Sequence, residues 1–182
     1  DLSTYLNNVL VELESYGFYF TKPDQLDVKS KAWLRHYFEE HIYPVVTPLA
    51  VDSGHPFPFL TNHTINAIVR IFQIQPDGTK DYKIAILPIP SVLDRIIEIP
   101  SRGNKEHRFV YLEDVITYYA NQFFQGYGIE DYMVFRITRD ADLEIDEEEA
   151  TDLLSEVEAS LRRRRRGDAV RLEVCGEVKD NL

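Results

Sequence analysis

Cysteine is almost missing from this 182-residue sequence: the only one is Cys175. A single thiol cannot close an internal disulfide and cannot supply a thiolate metal cluster. Its place beside Val174 in an apolar run reads as a small buried or half-buried hydrophobe. No apolar run approaches the ~20 residues needed to span a bilayer. The first residues lack the basic-then-apolar pattern of a secretory signal, so the expected compartment is the cytoplasm. Catalytic signatures are missing too. There is no G-x-x-x-x-G-K-S/T phosphate loop, no H-E-x-x-H metal spacing and no third glycine after Gly126-Tyr127-Gly128. Nor is there a G-x-S-x-G nucleophile elbow. The five histidines, His36, His41, His55, His63 and His107, are scattered, and structural or solvent-exposed roles suit them best. On its residues alone the chain makes no case for an enzyme, and no catalytic, cofactor-binding or metal-binding residue is assigned.

What is present is an ordinary globular composition, 44% hydrophobic and 28% charged, with no disorder signature, repeat or low-complexity segment. One domain of this length can bury roughly 70% of the surface its unfolded chain exposes. The formal net charge of −11 argues against general affinity for nucleic acid or anionic membrane. The charge is uneven: 12 of the 31 acidic residues lie between Glu130 and Glu158, and Arg162 to Arg166 follow at once.

Periodicity predicts an α+β domain, a mixed β-sheet with helices packed on its faces. Ser3 is a candidate N-cap for a helix with Leu6, Val9, Leu10 and Leu13 on one face, stopped by Gly17. Phe18 to Phe20 reads as a short strand, and Val28 to Ile42 as an amphipathic helix carrying Trp33, Tyr37, Phe38, His41 and Ile42. Thr64 to Gln75 and Asp81 to Leu87 read as a hairpin around Pro76-Asp77-Gly78. A second pair is expected from Ile96–Ile99 and Arg108–Tyr111, then a helix over Leu112 to Phe124 and a central strand over Tyr132 to Thr138. A helix from Asp146, with Leu153, Leu154, Val157 and Leu161 inward, precedes a half-buried strand over Ala169 to Val174.

Tyr43 to Thr64 stands apart. Pro44, Pro48, Pro56 and Pro58 forbid a regular helix or a central strand, yet Val45, Val46, Leu49, Val51, Phe57, Phe59 and Leu60 are too apolar for a solvated linker. The expectation is a rigid extended connector pressed onto a core.

Two charged features could carry contacts. Thr138-Arg139-Asp140-Ala141-Asp142 reads as a loop after a buried strand, where binding groups gather. Its plainer reading is a tight turn in which Asp140 caps backbone amides and Arg139 pairs locally. Arg162, Arg163, Arg164, Arg165 and Arg166 sweep about 500° around a helix at 100° per residue, so they cannot share one protected face. Either they form a solvated helix end that offsets the acidic start of that helix, or they meet a polyanion or another subunit.

The run P-V-V-T-P-L-A-V-D with H-P-F-P-F-L-T-N, from Pro44 to Asn62, resembles the signature of bacterial polyphosphate kinases of the long multidomain type, at their middle (head) domain. Phe135 to Asp146, Ala169 to Val174 and Arg35 to Glu40 resemble further parts of that domain in order. The resemblance implies a fragment of an ATP:polyphosphate phosphotransferase that works through a phosphohistidine and magnesium. Residues 1–42 would then be a helical lead-in and 43–64 the Pro-rich connector. The family's N-terminal and C-terminal catalytic domains, with the phosphohistidine, would be absent, and the chain reads as a fragment cut near a domain boundary. It implies no ATP or magnesium site in this fragment and no turnover of its own. The implied role is structural, with subunit contacts and framing of the polyphosphate tunnel; the alternative is a polyanion-binding module using the Arg162 to Arg166 run. Implied partners are the remaining domains of the same chain, a second copy in a homo-oligomer, and polyphosphate, with the whole enzyme cytoplasmic or peripheral to a membrane.

Overall fold

The turn at Pro76-Asp77-Gly78 behaves as its residues dictate. Asp77 Oδ1 accepts the Thr79 amide at 2.9 Å and the Thr79 hydroxyl at 2.6 Å, and Gly78 takes a φ of 84°, open to glycine and strained for other residues. It joins β3 (Ile65–Ile74) to β4 (Lys80–Pro88), which pair without interruption from Asn66 opposite Pro88 to Ile74 opposite Lys80. This hairpin is the centre of the larger of two sheets in the computed structural model, which describes residues 2–51, 57–100, 106–140 and 168–176.

That larger sheet is antiparallel and ordered β2-β4-β3-β7-β8, with β2 at Leu49–Val51, β7 at Gly128–Arg139 and β8 at Ala169–Cys175. The smaller sheet is ordered β1-β6-β5, from Phe18–Phe20, His107–Tyr111 and Ile96–Ile99. Here β5 and β6 are antiparallel, but β1 runs parallel to β6. The expected mixed α+β architecture is therefore present, divided over two sheets. The β5–β6 pair forms as expected, and β7 extends beyond Tyr132 to Thr138 and lies between β3 and β8.

The helical segments between residues 28 and 42 and between 112 and 123 pack on one face of the larger sheet. α2 (Val28–Tyr37) starts where Asp27 accepts the Lys29 and Ser30 amides at 2.9 and 3.0 Å, an N-cap. It runs into a wider π turn over Phe38–Ile42, closed by the Tyr43 amide donating to the Phe38 carbonyl at 2.8 Å. Leu34, Phe38 and Ile42 are thereby all fully buried. Pro44, which has no amide to donate, follows at once. The expected helix over Leu112 to Phe124 is broken: α3 (Leu112–Tyr118) and α4 (Ala120–Phe123) meet at Tyr119, with φ −98° and ψ 16°. The break seats the Tyr119 ring on Phe38 at 4.6 Å, while Phe123 meets Phe38 edge-on at 5.6 Å and stacks on Tyr43 at 5.1 Å. These residues join Ala67, Val69, Ile71, Ala85 and Leu87 of the large sheet and Ile97, Ile99 and Val110 of the small one in the main core.

The opposite face of the large sheet carries a second, smaller core of Leu60, Ile86, Phe135 and Ile137, flanked by Leu49, Val51, Ile68 and Val174. Here the Pro-rich connector contributes Leu60, and Val46 goes to the main core. Between Pro48 and Pro56 it forms the three-residue edge strand β2, the sheet position that tolerates flanking prolines. The connector is thus extended and partly pressed inward, but Phe57 and Phe59 point out, about half exposed.

Three further expectations change. α1 (Leu2–Ser15) begins before Ser3, so Ser3 is not its N-cap, and Leu6 is exposed although Val9, Leu10 and Leu13 are half-buried. Val170 and Leu172 are each 61% exposed, because β8 is the far edge strand and Leu60 covers only the middle of the sheet. Cys175, at the end of that edge, is exposed rather than buried. The helix expected from Asp146 lies outside the described residues.

Candidate functional site

Of the candidate contact residues, only Arg139 lies among the described residues; Arg162 to Arg166 lie outside them. Thr138 and Arg139 are not in a loop. They end β7, with Arg139 opposite Ala169 of β8, and the Asp140 amide donates to the Asp168 carbonyl at 2.8 Å. Arg139 also reaches across the chain to the connector. Its amide donates to Asn62 Oδ1 at 2.9 Å, its Nε donates to the Leu60 carbonyl at 2.9 Å, and its guanidinium lies 4.0 Å from the Phe59 ring centroid. Arg139 thus bonds to residues almost 80 positions away in the chain.

The connector is shaped to receive it. His63 adopts a φ of 60° and donates its amide to the Ile137 carbonyl at 3.0 Å, while Thr64 closes onto the Thr61 carbonyl through its hydroxyl at 2.8 Å. Asn66, buried in β3, donates its side-chain amide to the Thr64 carbonyl at 3.0 Å. Leu60 is fixed over the second core from both sides: by its own side chain below and by the Arg139 bond to its carbonyl.

A second polar cluster lies where the large sheet meets the corner before β5 and the start of α3. Arg95 donates through Nη2 and Nε to Glu113 Oε1 at 2.7 and 3.1 Å, and Glu113 is buried. The hydrogen bond from Arg95 to Glu113 holds the guanidinium above its usual range. Arg136 and Glu173 face each other across β7 and β8, with Arg136 Nε donating to Glu173 Oε2 at 2.8 Å. That bond lowers the Glu173 carboxyl below the usual carboxylate range and raises Arg136. Arg171 adds a second contact to Glu173, at 3.1 Å. The sequence assigns no contact role to Arg95, Glu113, Arg136 or Glu173. An opposite-charge cross-strand pair is the one signal that could have found the latter two, once the register of β7 and β8 is known.

Three of the histidines sit in surface pairs. His36 lies 3.3 Å from Glu40, His107 lies 2.7 Å from Glu98, and His41 tilts onto Tyr37 at 4.8 Å. Among the described residues no three His, Cys, Asp or Glu side chains gather closely enough to hold a metal ion, and these side chains offer no fit for magnesium.

A family model described as the polyphosphate kinase middle domain matches residues 29–182. The polyphosphate kinase of Halalkalibacterium halodurans is 41% identical over 176 residues, which is 97% of this chain and 24% of that protein. The polyphosphate kinase of Pseudomonas putida is 40% identical over 179 residues, again 97% of this chain and 24% of the relative. The chain thus spans about a quarter of the length of these curated relatives. The crystal structure of polyphosphate kinase from Porphyromonas gingivalis superimposes with a TM-score of 0.68 at 24% identity, covering 88% of this chain and 26% of that one, a likeness of fold. The two sheets, the connector and the family match together place this chain in the polyphosphate kinase family, as its middle domain.

Proposed function

We propose that this domain is a non-catalytic scaffold within an ATP:polyphosphate phosphotransferase, carrying contacts to other parts of the same polypeptide and to a second copy, and framing the path of the polyphosphate chain. The observation that carries the reading is the placement of apolar surface. Phe57, Phe59, Val170 and Leu172 are exposed at the margins of the second core, while the polar groups of Arg139 hold the connector in place. Surface of that kind suits contact with neighbouring protein better than with a small hydrophilic substrate. Residues 1–42 serve in this reading as the lead-in from the preceding part of the polypeptide, and α1 lies outside the family match. Residues 43–64 are the connector, and the reactive groups with their ATP and magnesium belong to other domains.

No helix among the described residues is long and apolar enough to cross a membrane. Incubation of the 182-residue chain with ATP and magnesium should give neither polyphosphate nor acid-labile histidine phosphate; detection of either overturns the scaffold reading. Sedimentation at several concentrations tests contact with a second copy. In the alternative reading Arg162 to Arg166 bind polyphosphate directly. Binding should then weaken steeply with salt, because each neutralised phosphate releases counterions. Replacing the five arginines by glutamine must lower the affinity for that alternative to stand.

A further inference from the structure

Between β7 and β8 on one side and the β5–α3 corner on the other lies a cleft of about 240 Å³. Its apolar lining includes Ile65, Val134 and Val174, and its polar lining is the two ion pairs, Arg95–Glu113 and Arg136–Glu173. We propose that this cleft is a binding site for a phosphoryl oxyanion, held by the terminal guanidinium nitrogens of Arg95 and Arg136.

Each arginine leaves part of its guanidinium uncommitted. Arg95 uses Nε and Nη2 on Glu113, and Arg136 uses only Nε on Glu173. Arg95 Nη1 and both terminal nitrogens of Arg136 have no protein partner among the described residues. Each carboxylate grips one edge of its guanidinium and so fixes the plane of the fork, leaving N–H groups of the kind that suit tetrahedral oxyanions. The two guanidiniums are also close enough that the charge on Arg95 disfavours the charge on Arg136. An anion between them relieves that repulsion. The local charge is favourable as well. Arg171 shares Glu173 with Arg136, so three arginines face two glutamates, in a chain whose total charge otherwise repels anions. The site is independent of Arg162 to Arg166 and rests on the polyphosphate kinase reading only in the choice of phosphate over carboxylate.

Cys175 gives the test its reporter. It is exposed, lines the cleft, and is the only thiol in the chain. Its rate of alkylation by iodoacetamide is measured with increasing tripolyphosphate or orthophosphate, at ionic strength held constant with sodium chloride. Saturable slowing is expected, about tenfold once ligand reaches ten times its Kd. Protection by orthophosphate as well as tripolyphosphate identifies a single phosphate group as the ligand, and protection by tripolyphosphate alone identifies the chain; either supports the site. Arg136→Gln should weaken protection by roughly tenfold or more in Kd, and Arg136→Lys, which keeps the charge without the fork, by a similar factor. Replacing Arg162 to Arg166 by glutamine should leave protection intact. Far-UV circular dichroism confirms that each variant is folded, and the lysine variant decides the matter if the glutamine variant is not. No protection by either anion, protection unchanged by both Arg136 substitutions, or protection lost only with the arginine run overturns the proposal. That failure would leave the scaffold reading standing, since its own test is ATP turnover.

Discussion

Arg139 should act chiefly as a clamp on the connector, and Arg139→Ala measures that directly. The substitution keeps the backbone amide bond to Asn62 and removes, among the side-chain contacts, the Nε bond to the Leu60 carbonyl and the stacking over Phe59. A partly exposed hydrogen bond from a charged donor contributes about 1–1.5 kcal/mol, the low end of its usual range. Cation–π stacking at an exposed ring adds ~0.5–1 kcal/mol. Their sum is about 2 kcal/mol, and at ~2–4 °C per kcal/mol for a domain of this size the melting temperature should fall by roughly 4–8 °C. Urea denaturation followed by circular dichroism gives the free energy. A double-mutant cycle with Phe59→Ala isolates the stacking, with an expected coupling of ~0.5–1 kcal/mol. Proteolysis near Leu60 should also rise, since the clamp secures the segment over the second core. A loss below about 0.5 kcal/mol, the range of ordinary surface substitutions, would refute the clamp.

Phe38→Ala should cost ~3–5 kcal/mol and abolish much of the near-ultraviolet dichroism, because it empties the centre of the Tyr43–Tyr119–Phe123 cluster; unchanged dichroism would contradict the packing described. Gly128→Ala should be destabilising by ~1–3 kcal/mol, since its Cβ would sit 2.3 Å from the Phe72 ring. In a Phe72→Ala background the same change should become neutral or stabilising, and an unchanged sign would show that the ring is not the obstacle. Hydrogen bonds from the Ser30 amide and hydroxyl lower the Asp27 carboxyl, that from the Thr79 hydroxyl lowers Asp77, and that from Arg136 lowers Glu173. The unfolded chain therefore binds more protons than the folded one in acid. These contributions are complete above the ordinary carboxylate range near pH ~4 and are lost as pH falls through the depressed values. The combined Asp27→Asn and Asp77→Asn variant should flatten the decline in urea midpoint between pH 5 and 3 (~2 units, spanning that range); an unchanged slope would count against these bonds.

Elements with strong local chemistry were legible in the sequence. The Pro76-Asp77-Gly78 turn carries its own hydrogen-bonding residues, and the two strands beside it are rich in β-branched side chains, so β3 and β4 follow. The inward face of α2 was legible in part: Phe38 and Ile42 are buried as expected, but His41 is exposed, and neither the fully buried Leu34 nor the cap, Asp27, was singled out. What sequence could not supply was partnership over distance. Phe18 to Phe20 read as a strand, but nothing in three residues says that the partner is His107 to Phe109 or that the pairing is parallel. The break at Tyr119 involves no glycine or proline, and the ring's place on Phe38 depends on the arrival of α2. The site was less legible still. Arg139 looked like a loop residue because its carbonyl partner, Leu60, belongs to the connector far earlier in the chain. The Arg95–Glu113 pair was not legible because β5 and β6 separate the two residues in the chain.

The parallel pairing of β1 with β6 sets the order in which the molecule can be completed. β1 is synthesised ahead of β5 and β6, yet the edge that it must join does not exist until Phe109 has been made and folded back against β5. Until then Phe18 and Phe20, which later stack on His107, Phe109 and Tyr111, have no rings to meet. Closing so long a loop is slow compared with forming the β3–β4 hairpin. β1 is therefore among the last elements of this domain to be locked, and the β3–β4 hairpin is the natural place for its folding to begin.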